Sequence, residues 1–411
     1  MMFTFHCDKL LILLTLFTLT ACDASLEGNT PARSVDQLEN KKIEAFRIDL
    51  LKLGFDTASA IQIQPHIKDR SRTQQLVVMA CMDLDQPRLA LEFAHQIQNW
   101  RRGACLADLA FYSVEKGYTD GVEAYLKQAE GAVKTAEQEW RRDQVNVKIA
   151  RTYALLKETE KTAKFATNVV ESEQGKVVAV VAANDLENYE QILTVIDALA
   201  ASTQFEVIRN AQQAYLELYA KHFADASRRA TIEQRLRKSW AKFPQGIVVD
   251  LLLKLGEAAL AGGDASQGLA FVNEAHDLLV KMEWQVDTGH HIPVLARVGS
   301  LRYRCGEKEK GLADLDAARA RFEADVEKIV NIYRAGSLRP LAEAYQAVGE
   351  TKASLAVYKL AVEQGMVNPN SRPRAEDLAA TCASMALRGV EPDAALWARL
   401  REIRAGLRDP W

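Results

Sequence analysis

The sequence predicts an all-α fold of stacked antiparallel helix pairs, and three observations carry that expectation. Ala, Leu, Glu, Lys and Arg dominate, while the 411 residues hold only 21 glycines and 10 prolines, a composition that favours helix almost throughout. Over most of the chain no run of Val, Ile and Thr alternates with polar residues as a half-buried strand would. One pattern also returns in three consecutive places: a glycine, a small residue five later, a large apolar residue four after that, and an alanine three further on. The chain is 48% hydrophobic, which is ample for a continuous core. A formal net charge of −3 argues against a nucleic-acid partner, which would require a basic domain or stripe.

At the N-terminus, "MMFTFHCDKLLILLTLFTLTAC" places Lys9 before an apolar stretch from Leu10 to Leu19, with small residues leading into Cys22. That is the layout of a secretory signal. The stretch is too short for a membrane-crossing helix, which needs ~20 apolar residues. Leu19, Thr20, Ala21 and Cys22 resemble the bacterial lipoprotein signal, so residues 1–21 are expected to be removed. The resemblance implies that Cys22 becomes the first mature residue and carries diacylglycerol on its thiol and an acyl chain on its amine. Chains contributing about 0.8 kcal/mol per buried CH₂ anchor durably. In that family Asp23, directly after the lipidated cysteine, is similar to an inner-membrane retention signal of Gram-negative bacteria. The expected location is thus the outward, periplasmic face of a bacterial membrane. Residues 22–34, with Gly28, Asn29, Pro31 and Ser34, read as a flexible tether.

Residues 35–243 are expected to form divergent helical repeats and residues 244–411 clearer ones. The three strong copies are "GDASQGLAFVNEA" from Gly263, "GEKEKGLADLDAA" from Gly306 and "GETKASLAVYKLA" from Gly349. Glycine supplies the left-handed turn that ends one helix. Asp264, Glu307 and Glu350 then fall where a carboxylate faces the positive end of the next helix. Gly268, Gly311 and Ser354 lack bulk, which lets the facing helix approach. The pattern resembles the tetratricopeptide repeat, which implies a right-handed α-solenoid whose groove holds a peptide or protein. The copies are 43 residues apart, where the family's usual repeat is 34, so the expected repeat is about 40 residues.

Weaker copies surround Ala90, Gly121, Thr162 and Ala394, and "WRR" occurs at Trp100 and again at Trp140, each seventeen residues before a turn. Between about 165 and 245 the pattern blurs. There "KVVAVVAA" from Lys176 reads as a buried helix because its flanks are alanine-rich. "FPQG", from Phe243 to Gly246, breaks the flanking helices and marks an internal joint.

Candidate chemistry is sparse. Cys81, Cys105, Cys305 and Cys382 form no CxxC pair and sit in apolar helical stretches, so they read as small core residues, with a Cys81–Cys105 disulfide as the alternative. His290 and His291, near His276, Glu283 and Asp287, are adjacent and do not share a helix face. They read as a polar loop before a helix starting near Pro293, and no metal or cofactor is expected. No nucleophile elbow, HExxH or phosphate loop occurs, so no enzymatic activity is expected. The sharpest candidates are Arg334 and Arg339 at the start of one helix and Arg372 and Arg374 ahead of the next. Arginine's planar fork suits carboxylates, so these four form a candidate clamp for a peptide's acidic group. The alternative is salt bridges to partners such as Glu376 and Asp377. The expected function is a membrane-tethered, exported repeat lipoprotein that scaffolds or recruits envelope proteins or peptides. The rivals are a periplasmic chaperone-like holder of envelope proteins and an accessory or enzymatic domain with its site in 165–245.

Overall fold

The computed structural model describes residues 33–167, 169–184, 188–282 and 287–411. The signal, Cys22 and Asp23 lie outside the described residues. Nineteen α-helices make up most of what is described. They begin with α1 (Ala45–Ala60), α2 (Ile67–Asp83), α3 (Pro87–His95), α4 (Arg101–Glu115), α5 (Val122–Thr135), α6 (Glu139–Leu155) and α7 (Thr159–Ala166). Next come α8 (Glu171–Asn184), α9 (Tyr189–Ala200), α10 (Phe205–Lys221) and α11 (Ala226–Lys238). The last eight are α12 (Gln245–Ala261), α13 (Ala265–Lys281), α14 (Thr288–Arg304), α15 (Lys308–Asp325), α16 (Asn331–Ala347), α17 (Thr351–Gly365), α18 (Ser371–Arg388) and α19 (Ala394–Ala405). The only described strands are a short parallel pair, β1 (Arg33–Ser34) with β2 (Tyr118–Asp120). The expected tether therefore ends two residues early, where the Arg33 guanidinium sits 3.8 Å over the Tyr118 ring.

The chain forms two compact units, one of residues 33–39 with 94–242 and one of 40–93 with 243–411. In the second unit each helix pair is closed by the same cap. After α12, Gly263 adopts φ 87°, its N–H donates to Leu260 C=O at 3.1 Å, and the Asp264 N–H donates to Ala259 C=O at 2.9 Å. These two bonds satisfy carbonyls that the end of a helix leaves unpaired. The bonds recur at Gly306 and Glu307 and at Gly349 and Glu350. Asp85 with Gln86, Lys157 with Glu158, and Gly389 with Val390 make the same pair. Asp85 (φ 54°) and Lys157 (φ 60°) hold the left-handed conformation without being glycine, which is why those copies looked weak in the sequence.

Seven residues before each turn and five after it, the paired helices touch backbone to backbone. A Cβ on Gly311 would lie 2.6 Å from the Gly299 carbonyl oxygen and 2.6 Å from the Tyr303 nitrogen. On Gly268 it would meet Cys305 Sγ at 2.9 Å and the Gly256 oxygen at 3.2 Å. At the third copy the buried Ser354 hydroxyl donates to Ala342 C=O at 2.8 Å.

The last copy departs from this rule. Gly389 turns as expected, but Ala394 is exposed, and the slot opposite Cys382 is filled from the other end of the sequence. A Cβ on Gly54 of α1 would lie 3.3 Å from both the Ala379 oxygen and Cys382 Cβ. α19 runs beside α17 through Arg399–Glu363 at 2.8 Å and beside α1 through Arg404–Asp56 at 2.7 Å. α2 joins α18 through Arg372–Asp69 at 2.9 Å and Arg72–Glu376 at 3.3 Å. Residues 40–93 thus pack with the C-terminal repeats, whereas the sequence grouped them with residues 35–243. The physical reason is α18, whose buried Leu378, Ala379, Cys382 and Met385 need more cover than a twelve-residue α19 provides.

The first unit is centred on Trp100, Ala104, Leu126, Val145, Ile149 and Phe165. Gly103 lets α4 meet α5, since a Cβ there would lie 2.5 Å from that of Ala132. Gly121 is not an interface residue; it starts α5 at φ 83° against Val35. "KVVAVVAA" is helical within α8, as expected. α11 is closed differently from the repeats, with Asp225 capping Ser227 and Arg228 N–H groups and no left-handed residue before it.

Substituting Gly54→Leu overpacks the contact with α18 and is expected to destabilise the protein by about 2 kcal/mol. Gly131→Ala, with open space around it, is expected to stabilise by about 0.5–1 kcal/mol. Lys157→Gly relieves left-handed strain, with an expected gain of about 0.5–1 kcal/mol. Urea midpoints of the three variants check all of these.

Candidate functional site

Each of the four arginines singled out in the sequence has an acceptor within the chain. Buried Arg334 donates from Nε to Ile329 C=O at 2.8 Å and pairs with the exposed Glu327 at 3.0 Å, fixing the loop ahead of α16. Arg339 reaches across to α18 and donates to Asp377 at 2.8 Å. Arg372 donates to Asp69 at 2.9 Å, and Arg374 donates to Asn368 C=O. An incoming carboxylate would have to displace five separate acceptors, each already well placed. Burial pushes the Asp377 carboxyl above its ordinary range, with Arg339 opposing the shift.

The histidines also have structural work. Asp287 caps α14 through the His290 N–H at 3.2 Å, so both adjacent histidines lie in the first turns of the helix rather than in a loop before it. Pro293 lies inside that helix. Its missing N–H leaves Gly289 C=O without an intrahelical donor, and the Ser337 hydroxyl of the next repeat supplies one at 2.9 Å. His290 is exposed and His291 buried, as adjacent positions on a helix require.

Between α13, α14 and α15 lies an open cleft of about 530 Å³. Leu279, Val280, Leu295 and Ala317 supply its apolar surface, while His276, His291, Asp314, Arg321 and Asp325 supply polar groups. Arg302, almost fully buried, holds Asp314 at 2.7 Å and Asn273 at 3.1 Å. Burial pushes the Asp314 carboxyl up, and Arg302 and His276 pull it back. Asp325 is held by Lys328 at 2.6 Å. The charges of this cleft are therefore committed to internal partners. No group of three or more His, Cys, Asp or Glu that could hold a metal occurs among the described residues.

More available is an apolar edge where one helix pair joins the next. Val330 and Tyr333 are 59% and 58% exposed, and Ile332 and Val367 are exposed beside them. The two loops are joined by Asn368 donating to Asn331 at 3.1 Å. Ile332, Tyr333 and Val367 stand beside the arginines in "NIYRAG" and "MVNPNSRPR", but an apolar residue next to a charge carries no recognisable motif. The four cysteines are buried and free. Burial pushes their thiols up, Cys382 to about 12, which makes them inert core residues.

No protein family matches the sequence, and no curated protein does either. Among solved structures, one described as "Circular tandem repeat protein with novel repeat topology and enhanced subunit contact surfaces" is 15% identical, with 88% of this chain and 94% of that chain covered and a TM-score of 0.18. At that score the likeness carries no argument, and the all-α repeat fold rests on the helix pairs themselves. No helix of the described residues is long and apolar enough to cross a membrane.

The raised Asp377 carboxyl sets a pH dependence. The native chain holds this proton more tightly than the unfolded chain, in which the group titrates near 3.9. Its contribution to stability is therefore greatest below about 3.9 and declines as pH rises through the raised native value. Asp377→Asn removes that decline and leaves Arg339 without its counter-charge, so the variant is expected to lose about 1–3 kcal/mol. Denaturant titrations of both proteins across the acid range measure the two effects.

Proposed function

We propose that this chain is an exported repeat lipoprotein, anchored through Cys22 with Asp23 as its sorting signal, that recruits a protein partner to the outward face of a bacterial membrane. The observation that carries the partner is the apolar edge of Val330, Ile332, Tyr333 and Val367. Exposed aliphatic and aromatic side chains grouped on one edge are the usual raw material of a protein interface. The repeats support this reading by giving the edge a rigid backing, with Arg334 and Arg374 each fixing one of its loops through a backbone carbonyl. In this reading Arg334 and Arg374 act as positioning residues for the edge rather than as parts of a clamp. The anchor rests on the resemblance of residues 19–22 to the lipoprotein signal.

Two measurements test the reading separately. Radioactive palmitate is expected to label the wild-type protein and not Cys22→Ala; equal labelling of the variant would remove the anchor. Crosslinking in cells followed by capture is expected to recover a specific partner that is lost from Tyr333→Ser plus Val367→Ser. Both changes are at exposed positions and should alter stability by no more than about 0.5 kcal/mol. Capture that persists in the double variant would move the partner off this edge.

A further inference from the structure

We propose that the first unit carries a saccharide-binding site in the cleft between residues 95–102 and the C-terminal half of α5. This cleft has about the same volume as the one in the second unit, about 530 Å³, but a different lining. Its polar groups are His95, Gln98, Asn99, Arg102 and Gln128, and its remaining lining is Gly131 and Ala132. Among the described residues no carboxylate lines it, and no large apolar side chain does.

Three features select the ligand class. First, four of the five groups are uncommitted: among the described residues, His95, Gln98, Arg102 and Gln128 make no side-chain hydrogen bond or ion pair with the protein. Asn99 Oδ1 accepts the Arg101 N–H at 2.9 Å, which orders the loop that presents them. Second, carboxamides dominate. Each offers both donors and an acceptor, matching hydroxyls that donate and accept at once, whereas peptides are held in grooves by apolar anchors that this cleft does not provide. A single guanidinium with one imidazole can take one carboxylate but not a polyanion. Third, an exposed indole is joined to the cleft-lining loop through the residue after Asn99, with the Arg141 guanidinium 5.4 Å over its ring. Trp100, which follows Asn99, packs edge-on against Trp140 at 5.6 Å between ring centroids, and Trp140 remains 49% exposed. Its indole N–H is taken by Gln138 at 2.7 Å, which fixes the ring. An indole face receives the C–H surface of a pyranose in the way it receives other partly apolar surfaces. The volume falls within the range of small-molecule sites and accommodates one or two sugar rings. The ligand is thus a neutral or singly acidic saccharide, with Gln98 and Gln128 on its hydroxyls and Arg102 with His95 on any carboxylate. This site is independent of the partner proposed for the other unit.

The test uses the mature chain with cellobiose, chitobiose and cellobiouronic acid as probes, read by saturation-transfer NMR and tryptophan fluorescence. At least one sugar is expected to receive saturation and quench fluorescence. Gln98→Ala plus Gln128→Ala is expected to weaken that binding by about tenfold or more. Arg102→Ala is expected to weaken the acidic sugar more than the neutral ones. Circular dichroism checks that the variants fold; should the double variant not fold, each single variant is read in the same way. Binding of none of the three sugars would overturn the proposal, as would equal binding by the folded variants. Competition by a carboxylate-ended tetrapeptide at equal concentration would also overturn it and assign the cleft to peptides.

Discussion

The structure depends on two helices being allowed to touch where neither has a side chain in the way. Gly299 and Gly311 show the constraint most clearly, with a carbonyl oxygen of one helix standing where a Cβ of the other would be. Such contact is possible only if the chain reverses sharply a fixed number of residues away, and the left-handed residue at Gly306 provides that reversal. Turn and contact are thus one device. Around it the large residues pack in predictable places, with Leu315 and Tyr358 fully buried four residues after Gly311 and Ser354. The inter-repeat ion pairs, such as Arg304 with Glu257 at 2.9 Å, are largely exposed and contribute less than the packing.

Where this device is built from glycine it was legible in the sequence. The copies at Gly263, Gly306 and Gly349 fold as their pattern predicts. Asp85 and Lys157 make the same turn with residues that rarely adopt it, so the sequence showed only an echo, and for Lys157 the "WRR" seventeen residues earlier was the better guide. From α8 to α11 the helices are present, but α11 is closed by an aspartate cap, which has no fixed relation to a glycine, and periodicity alone could not place the pairs. The substitution of α1 for the last helix of the array was invisible because it depends on which surface is left uncovered, and that is a property of the assembled unit.

The candidate sites were legible in a different way. Arginines near acidic residues can serve a ligand or the protein itself, and spacing does not decide between the two. The structure gives Arg339 to Asp377, a partner the sequence offered, and Arg372 to Asp69, which stands 303 positions away and could not be read locally. The polar groups that remain available, among them Gln98 and Gln128, belong to residue types that carry no recognisable motif. They become informative only when a cleft brings them together and nothing else occupies their hydrogen-bonding groups.

The contact of Gly54 with Cys382 also has a consequence for how the chain acquires its structure. The partners are separated by most of the sequence, and contacts of such long range form slowly because the intervening chain must first be brought to order. During synthesis α1 and α2 emerge long before α18. The second unit therefore stays incomplete until α18 is made, with the face of α1 around Gly54 uncovered in the interval. A chain of this kind needs protection from aggregation while it waits, and a truncation near the C-terminus would strand its N-terminal helices as surely as it removes its own.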